Sequence, residues 1–303
     1  MINKLIAKLL PYFPKRLIWI FSKRYIAGEN IEAALRVSRE VNNAGIMVTV
    51  DLLGENITNL SEAENYKQQY ISLIKRYTME GIDGNFSVKP SMFGLLLDPE
   101  VCYENLREIV KTADHCNSFI RIDMEDSSCT SNEIILFRRL KNEFPSRVGL
   151  VLQAYLCRTL DDLKDLMDLH QDGSQLNIRL CKGIYIENED VSFKDFQQIR
   201  DHYVEDLKFM LQNGIFVGIA THDSYLINKA FGLIDQYGVT KTGCEFQMLY
   251  GVTPKLSRSI VEKGHRMRVY IPFGNEWFNY SIRRLKENPN MVSHIIKALF
   301  IRR

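Results

Sequence analysis

From residue 31 onward the chain alternates eight times between a short apolar, β-branched run and a longer stretch with helical period. The runs occupy residues 46–50, 86–88, 119–122, 148–152, 176–178, 216–220, a weaker 244–249, and 267–271. Capping signals open the stretches between them: Ser61 with Glu64, Asp98 before Pro99, Thr130 with Glu133, Thr159 with Asp162, and Thr253 before Pro254. Gly214, Gly238 and Gly264 stand between a helical stretch and the next apolar run, where a left-handed C-terminal cap favours glycine. Strand and helix repeated eight times over roughly 250 residues imply a closed parallel barrel. The 303 residues are enough to build one, and no Pro/Ser-rich linker or internal repeat interrupts the pattern.

The ends of the runs carry a second argument. In order they finish in Asp51, Lys89, Asp123, Gln153, Arg179 with Lys182, His222, Gln247 and Tyr270. A parallel barrel opens all its C-terminal strand ends on one face, so these scattered residues would converge on a single mouth. A polar residue ending a strand is ordinarily a turn former or helix cap, and Asp223 reads as the cap of its own helix. Long charged side chains have no such turn role, and their convergence reads as an active site.

Arg283 and Arg284 lie in a helix expected from about Asn275 to Asn288-Pro289. Adjacent helical residues point about 100° apart, so both would meet one anion only from above it. Lys89 adds a third cation, a set that suits a carboxylate or phosphate, and Glu287 would brace an arginine from the next turn. A solvated arginine pair is the alternative, but Trp277, Phe278, Tyr280 and Ile282 argue for a partly buried helix. The segment RLCKGIY (179–185) sets Arg179, Lys182 and Gly183 after a strand, as a phosphate-bearing cofactor requires. No GxGxxG, P-loop, GxSxG or zinc-ligand spacing is present. The residues alone reach a barrel enzyme acting on a small anion. A Schiff-base enzyme of aldolase type using Lys89 or Lys182, or a membrane-associated carboxylate receptor, stays open at this point.

Charge and cysteine usage narrow the setting. Thirty-nine basic against 37 acidic residues give a net charge of +2, which argues against nucleic acid as a partner. Six cysteines without a CxxC pair read as reduced packing residues of a cytoplasmic protein, and no metal site is expected. Residues 1–28 carry six basic and no acidic side chains, and residues 291–303 are apolar with a basic close. Neither apolar run at the start approaches the ~20 residues needed to span a bilayer. Such termini suit either an anionic membrane surface or packing on the outside of the barrel. The expected division is a basic amphipathic segment at 1–40, the barrel at 41–290 and an apolar tail at 291–303.

Several strings then match a known family. SVKPS (87–91), RIDMEDS (121–127), VLQAYLCRT (151–159), RLCKGIY, ATHD (220–223), EFQMLYG (245–251), RVYIPFG (268–274) and YSIRRLKENP occur in family order at strand ends. Over about residues 84–290 the chain resembles proline dehydrogenase in its single-function bacterial form. The resemblance implies a distorted (βα)8 barrel of TIM type, with extra N-terminal helices and its last helix over the mouth. It implies FAD as cofactor, L-proline as substrate, hydride transfer to flavin N5, and 1-pyrroline-5-carboxylate as product. By motif position Lys89, Arg283 and Arg284 would hold the proline carboxylate, Glu287 would orient the arginines, and Tyr270, Leu249 and Tyr185 would wall the ring. Met124, Gln153, Arg179, Lys182, Gly183, Ile184, Thr221 and His222 would bind FAD. Asp123 and Arg179 would be catalytic, with Asp123 paired to Lys89. Ile184 and Ile186 depart from the smaller or aromatic residues of many relatives, so flavin contacts there would differ. The resemblance further implies a membrane quinone as electron acceptor and a separate pyrroline-5-carboxylate dehydrogenase to take the product; the basic, apolar termini, which lie outside the matched region, would suit a cytoplasmic protein peripheral on the inner face of the cell membrane.

Overall fold

The computed structural model describes residues 14–54, 57–171 and 173–287. Eight strands pair in parallel in sequence order, and the eighth closes on the first. They are β1 (Met47–Leu52), β2 (Gly84–Val88), β3 (Ile120–Ile122), β4 (Val148–Gln153), β5 (Asn177–Cys181), β6 (Phe216–Ala220), β7 (Cys244–Leu249) and β8 (Met267–Phe273). Every apolar run read from the sequence becomes one of them. Two helices precede the barrel, α1 (Lys15–Ser22) and α2 (Ile31–Asn43), and α2 packs on β8 and β1. The border expected at residue 40 therefore falls inside a helix that belongs to the barrel wall. Helices α3 (Leu60–Met79), α4 (Pro99–His115), α5 (Thr130–Glu143), α6 (Thr159–Asp165), α7 (Phe196–Gln212), α8 (Ser224–Gln236) and α9 (Pro254–Glu262) alternate with the strands, and α10 (Trp277–Glu287) follows β8.

The cap signals locate the helices to within two residues, with some changes of role. Asp98 and Asp223 cap α4 and α8 as expected. Asn59, rather than Ser61, caps α3, because its Oδ1 reaches the free N–H of Glu62 at 3.2 Å. Thr253 takes a left-handed φ of +49° and makes no side-chain cap. Glu133 turns away from the helix start and is buried, accepting the Glu125 N–H at 3.0 Å. Thr159 donates its hydroxyl to the Gln153 carbonyl at 2.6 Å, and Asp162 pairs with Arg158 at 2.8 Å. The three glycines keep their predicted left-handed conformation, with φ of +70°, +61° and +78°.

Alternation along each strand separates two cores. The apolar set, including Val48, Val50, Phe86, Ile120, Leu150, Ile178, Val217, Phe246 and Ile271, is buried against the helices. The opposite set fills the barrel and is largely polar: Thr49, Asp51, Ser87, Arg121, Arg179, Glu245, Gln247 and Arg268 are all under one-tenth exposed. Two glycines make room for the longest of these. A methyl group on Gly149 would overlap the Arg121 guanidinium, and one on Gly218 would overlap the Gln247 amide.

The N-terminal basic, apolar stretch has a defined place from residue 15. Helix α1 packs on α10, with the Trp19 and Trp277 rings 4.7 Å apart and Ser22 Oγ donating to Ser281 Oγ at 2.6 Å. Trp277 Nε1 also donates to Glu29 at 2.7 Å. Residues 1–13 and the expected apolar tail at 291–303 lie outside the described residues. Among the described residues no helix is long and apolar enough to cross a membrane.

Candidate active site

A cavity of about 720 Å³ opens at the C-terminal ends of the strands, within the range of small-molecule and cofactor sites. Each strand-end residue singled out in the sequence lines it: Asp51, Lys89, Asp123, Gln153, Arg179, Lys182, His222, Gln247 and Tyr270. Met124, Gly183, Ile184, Tyr185, Thr221 and Leu249 line it too. Tyr280 and Arg284 reach it from α10, so the last helix does lie over the mouth. Arg283 and Glu287 belong to the same helix, but the positions expected for their side chains lie outside what is described.

Asp123 is the hub of the floor. Its Oδ1 accepts from Arg179 Nη1 at 2.8 Å and from Ser87 Oγ at 2.9 Å, and its Oδ2 accepts from the Tyr270 hydroxyl at 2.8 Å. The guanidinium of Arg179 also faces the Tyr270 ring, 5.3 Å from its centre. Burial, with Asp123 and Asp51 nearby, drives the Tyr270 hydroxyl well above its ordinary range, so it remains a donor. The partner expected for Asp123 was Lys89. Instead Lys89 Nζ donates to Asp51 Oδ1 at 2.6 Å: β2 lies between β1 and β3, and the Asp123 oxygens are already taken by Arg179, Ser87 and Tyr270. Burial pushes the Asp51 carboxyl up against the pull of Lys89, and its second oxygen has no hydrogen-bond partner among the described residues.

The opposite wall has a different chemistry. Lys182 and Arg200 both pair with Asp223, at 3.4 and 2.9 Å, and both flank the Phe196 ring, 4.8 and 4.3 Å from its centre. Asp223 thus combines its helix-capping role with ion pairing. His222 accepts the Leu249 N–H on Nε2 at 3.0 Å; burial, aided by Arg284 and Lys182, lowers its pKa to about 4. It is a neutral imidazole at physiological pH. Gln153 Nε2 donates to the carbonyls of Met124 and Glu125, at 2.9 and 3.1 Å. Its buried Oε1 has no hydrogen-bond partner among the described residues.

Arg200, Phe196 and Tyr280 were missed from the sequence, and Asp51 was noted as a strand end without a role. A signal for the first three existed in the helical spacing. Phe196 and Arg200, like Tyr280 and Arg284, are four residues apart and share a helix face. Which face met the mouth depended on how each helix packs.

Comparisons with known proteins agree with this geometry. The family described as Proline dehydrogenase matches residues 34–297. "Proline dehydrogenase 1" of Bacillus subtilis subsp. natto is 33% identical over 297 residues, covering 98% of this chain and 95% of that protein. "Proline dehydrogenase" of Deinococcus radiodurans is 33% identical over 286 residues, covering 93% and 91%. Among solved structures, proline utilization A of Bdellovibrio bacteriovorus inactivated by N-propargylglycine superposes with a TM-score of 0.84 at 26% identity. The match spans 88% of this chain and 32% of that one.

Proposed function

The chain belongs to the proline dehydrogenase family and is an enzyme that oxidises proline, and from that premise we propose that the cavity binds L-proline beside FAD and yields 1-pyrroline-5-carboxylate. The observation that carries the reading is one cavity that joins two sets of side chains. Lys89, Arg179, Arg284 and Tyr270 form one; the cations Lys182 and Arg200, with a buried Gln153 oxygen that has no hydrogen-bond partner among the described residues, form the other.

The residues present fit a flavin. A buried carbonyl oxygen without a donor costs about 1–3 kcal/mol, and an N–H edge such as a flavin ring carries would relieve it. Lys182 and Arg200 supply charge for phosphate, offset in part by Asp223. Gly183, which φ of +102° and the Tyr155 ring restrict to glycine, lines the cavity beside Lys182. Met124, Gln153, Arg179, Lys182, Gly183, Ile184, Thr221 and His222 would hold the cofactor. When bound, FAD supplies a hydride acceptor at N5.

The remaining tasks belong to the side chains. Arg284 and Lys89 would hold the substrate carboxylate, with Arg283 joining them and Glu287 orienting the arginines. Asp51 fixes the position of Lys89. Tyr270, Tyr185 and Leu249 would wall the ring. Proline must react as the neutral amine, so that the nitrogen lone pair assists as the adjacent carbon loses hydride; the N–H proton then leaves to solvent. Burial among cations favours that neutral form. Asp123 and Arg179 act as one unit in which the carboxylate aims positive charge at the cofactor wall.

Electrons would leave to a membrane quinone, with the chain peripheral on the inner face of the cell membrane, and the pyrroline would pass to a separate pyrroline-5-carboxylate dehydrogenase. The visible spectrum of the purified protein under anaerobic conditions tests the reading. A flavin spectrum that bleaches with L-proline supports it. A protein that stays colourless after incubation with FAD would overturn it.

A further inference from the structure

A continuous polar chain runs through the barrel interior to Arg179 from well below the mouth. Arg268 on β8 donates Nε to Glu245 Oε1 at 2.7 Å, Nη2 to Oε2 at 3.2 Å, and Nη1 to the Val48 carbonyl at 2.8 Å. Glu245 and Gln247, two residues apart on β7, both face inward, and Gln247 Nε2 donates to Glu245 Oε1 at 2.7 Å. Gln247 Oε1 then accepts from Arg179 Nε at 2.5 Å, and Arg179 Nη1 reaches Asp123. Arg268, Glu245, Gln247 and Arg179 are each more than nine-tenths buried.

The amide between a carboxylate and a guanidinium has one favourable orientation. Turned by 180°, its NH2 would face the Arg179 guanidinium and its oxygen would face the Glu245 carboxylate, so both contacts would become repulsive. Glu245 must be ionised for this to hold. Burial pushes its carboxyl up, but Arg268, Gln247 and Arg266 together bring it below its ordinary value. The space for the amide is also built in, because β6 has Gly218 where any larger residue would collide with it.

We propose that Glu245 and Gln247 are positioning residues for Arg179: the carboxylate selects which end of the amide meets the guanidinium, and the amide holds the guanidinium beside Asp123 on the cavity floor. The inference rests on the reading of Arg179 as a residue that faces the flavin, and it gives a role exerted through Arg179 to Gln247, which lines the cavity, and to Glu245 behind it.

Two variants test it. Gln247→Met keeps the length of the side chain without an acceptor. The exchange E245Q/Q247E keeps net charge and an acceptor for Arg179: the bond between the two side chains reverses, the amide at 245 donating to the new carboxylate at 247, and Arg268 keeps one of its two acceptor oxygens at 245. Gln247→Met should lower kcat about tenfold or more while moving the proline KM by less than about threefold. It should also weaken FAD binding, read as quenching of FAD fluorescence on titration with apoprotein. The exchange should recover most of both losses. A Gln247→Met enzyme equal to its parent, or an exchange variant no better than Gln247→Met, would overturn the proposal. If Gln247→Met fails to fold, Glu245→Gln alone takes its place, and the exchange must again exceed the single change. A parent that binds no FAD overturns the proposed function itself, whereas a parent that binds it beside unaffected variants overturns only this inference.

Discussion

Arg179 and Asp123 form a 2.8 Å ion pair in which the second carboxylate oxygen is taken by the Tyr270 hydroxyl, also at 2.8 Å. One side chain from β3 thereby orients a cation from β5 and a phenol from β8. Removing it takes a shared partner from both at once.

Asp123→Ala should therefore lower kcat by about tenfold or more and raise the proline KM as well, because the cation and the ring wall lose one shared anchor. Steady-state kinetics with L-proline check this. A change confined to KM would mean that Arg179 keeps its position without Asp123.

Asp51→Asn separates the role of the second carboxylate. Lys89 loses its 2.6 Å ion-pair partner but remains in the cavity wall, so the proline KM should rise with a smaller effect on kcat than Asp123→Ala produces. Equal kcat losses in the two variants would place Asp51 and Asp123 in one functional unit rather than two.

Arg284→Ala should raise the proline KM by about tenfold or more, with FAD still bound, since a charge-assisted contact to the carboxylate is lost. Its Nε is held by the Tyr280 hydroxyl at 3.1 Å, so Tyr280→Phe should reproduce a fraction of the effect. Proline KM values matching the parent in Arg284→Ala would remove the carboxylate assignment.

Asp206 on α7 is buried, and neither carboxylate oxygen has a hydrogen-bond partner among the described residues. Burial, with Glu205 adding to it, raises its pKa to about 8. The folded state keeps this proton while the unfolded chain releases it near 4, so stability falls as pH rises from about 4 to about 8 and levels off above. Asp206→Asn should remove that slope and stabilise the fold at pH 8 by roughly 1–3 kcal/mol. Urea unfolding at pH 5 and pH 8 measures it; parallel slopes in parent and variant would refute the assignment.

Much of the site was legible in the sequence because the barrel converts chain order into convergence. Once the eight apolar runs were recognised, the residues ending them had to share a mouth, and Asp51, Lys89, Asp123, Gln153, Arg179, Lys182, His222, Gln247 and Tyr270 all line it. The pairings among them were not legible. Lys89 meets Asp51 rather than Asp123, because lateral neighbours and rotamers depend on strand register and on the depth of each residue in the barrel. Asp223 read as a cap and serves as one, yet its ion pair with Arg200 joins α7 to the start of α8, a contact set by helix packing.

The sequence by itself determined the architecture, since apolar period, caps and glycine stops act over a few residues and their eightfold repeat admits one closed solution. It also determined which strand-end side chains would face the mouth. Only the tertiary structure decided that the barrel interior is a connected polar chain. The Val, Ile and Leu residues of the runs face the helices, while the alternating Arg121, Arg179, Glu245, Gln247 and Arg268 turn inward, most of them to partners on other strands. Those partners are distant in sequence, and the glycines that admit them, Gly149 and Gly218, acquire their purpose only when neighbouring strands bring a long side chain against them.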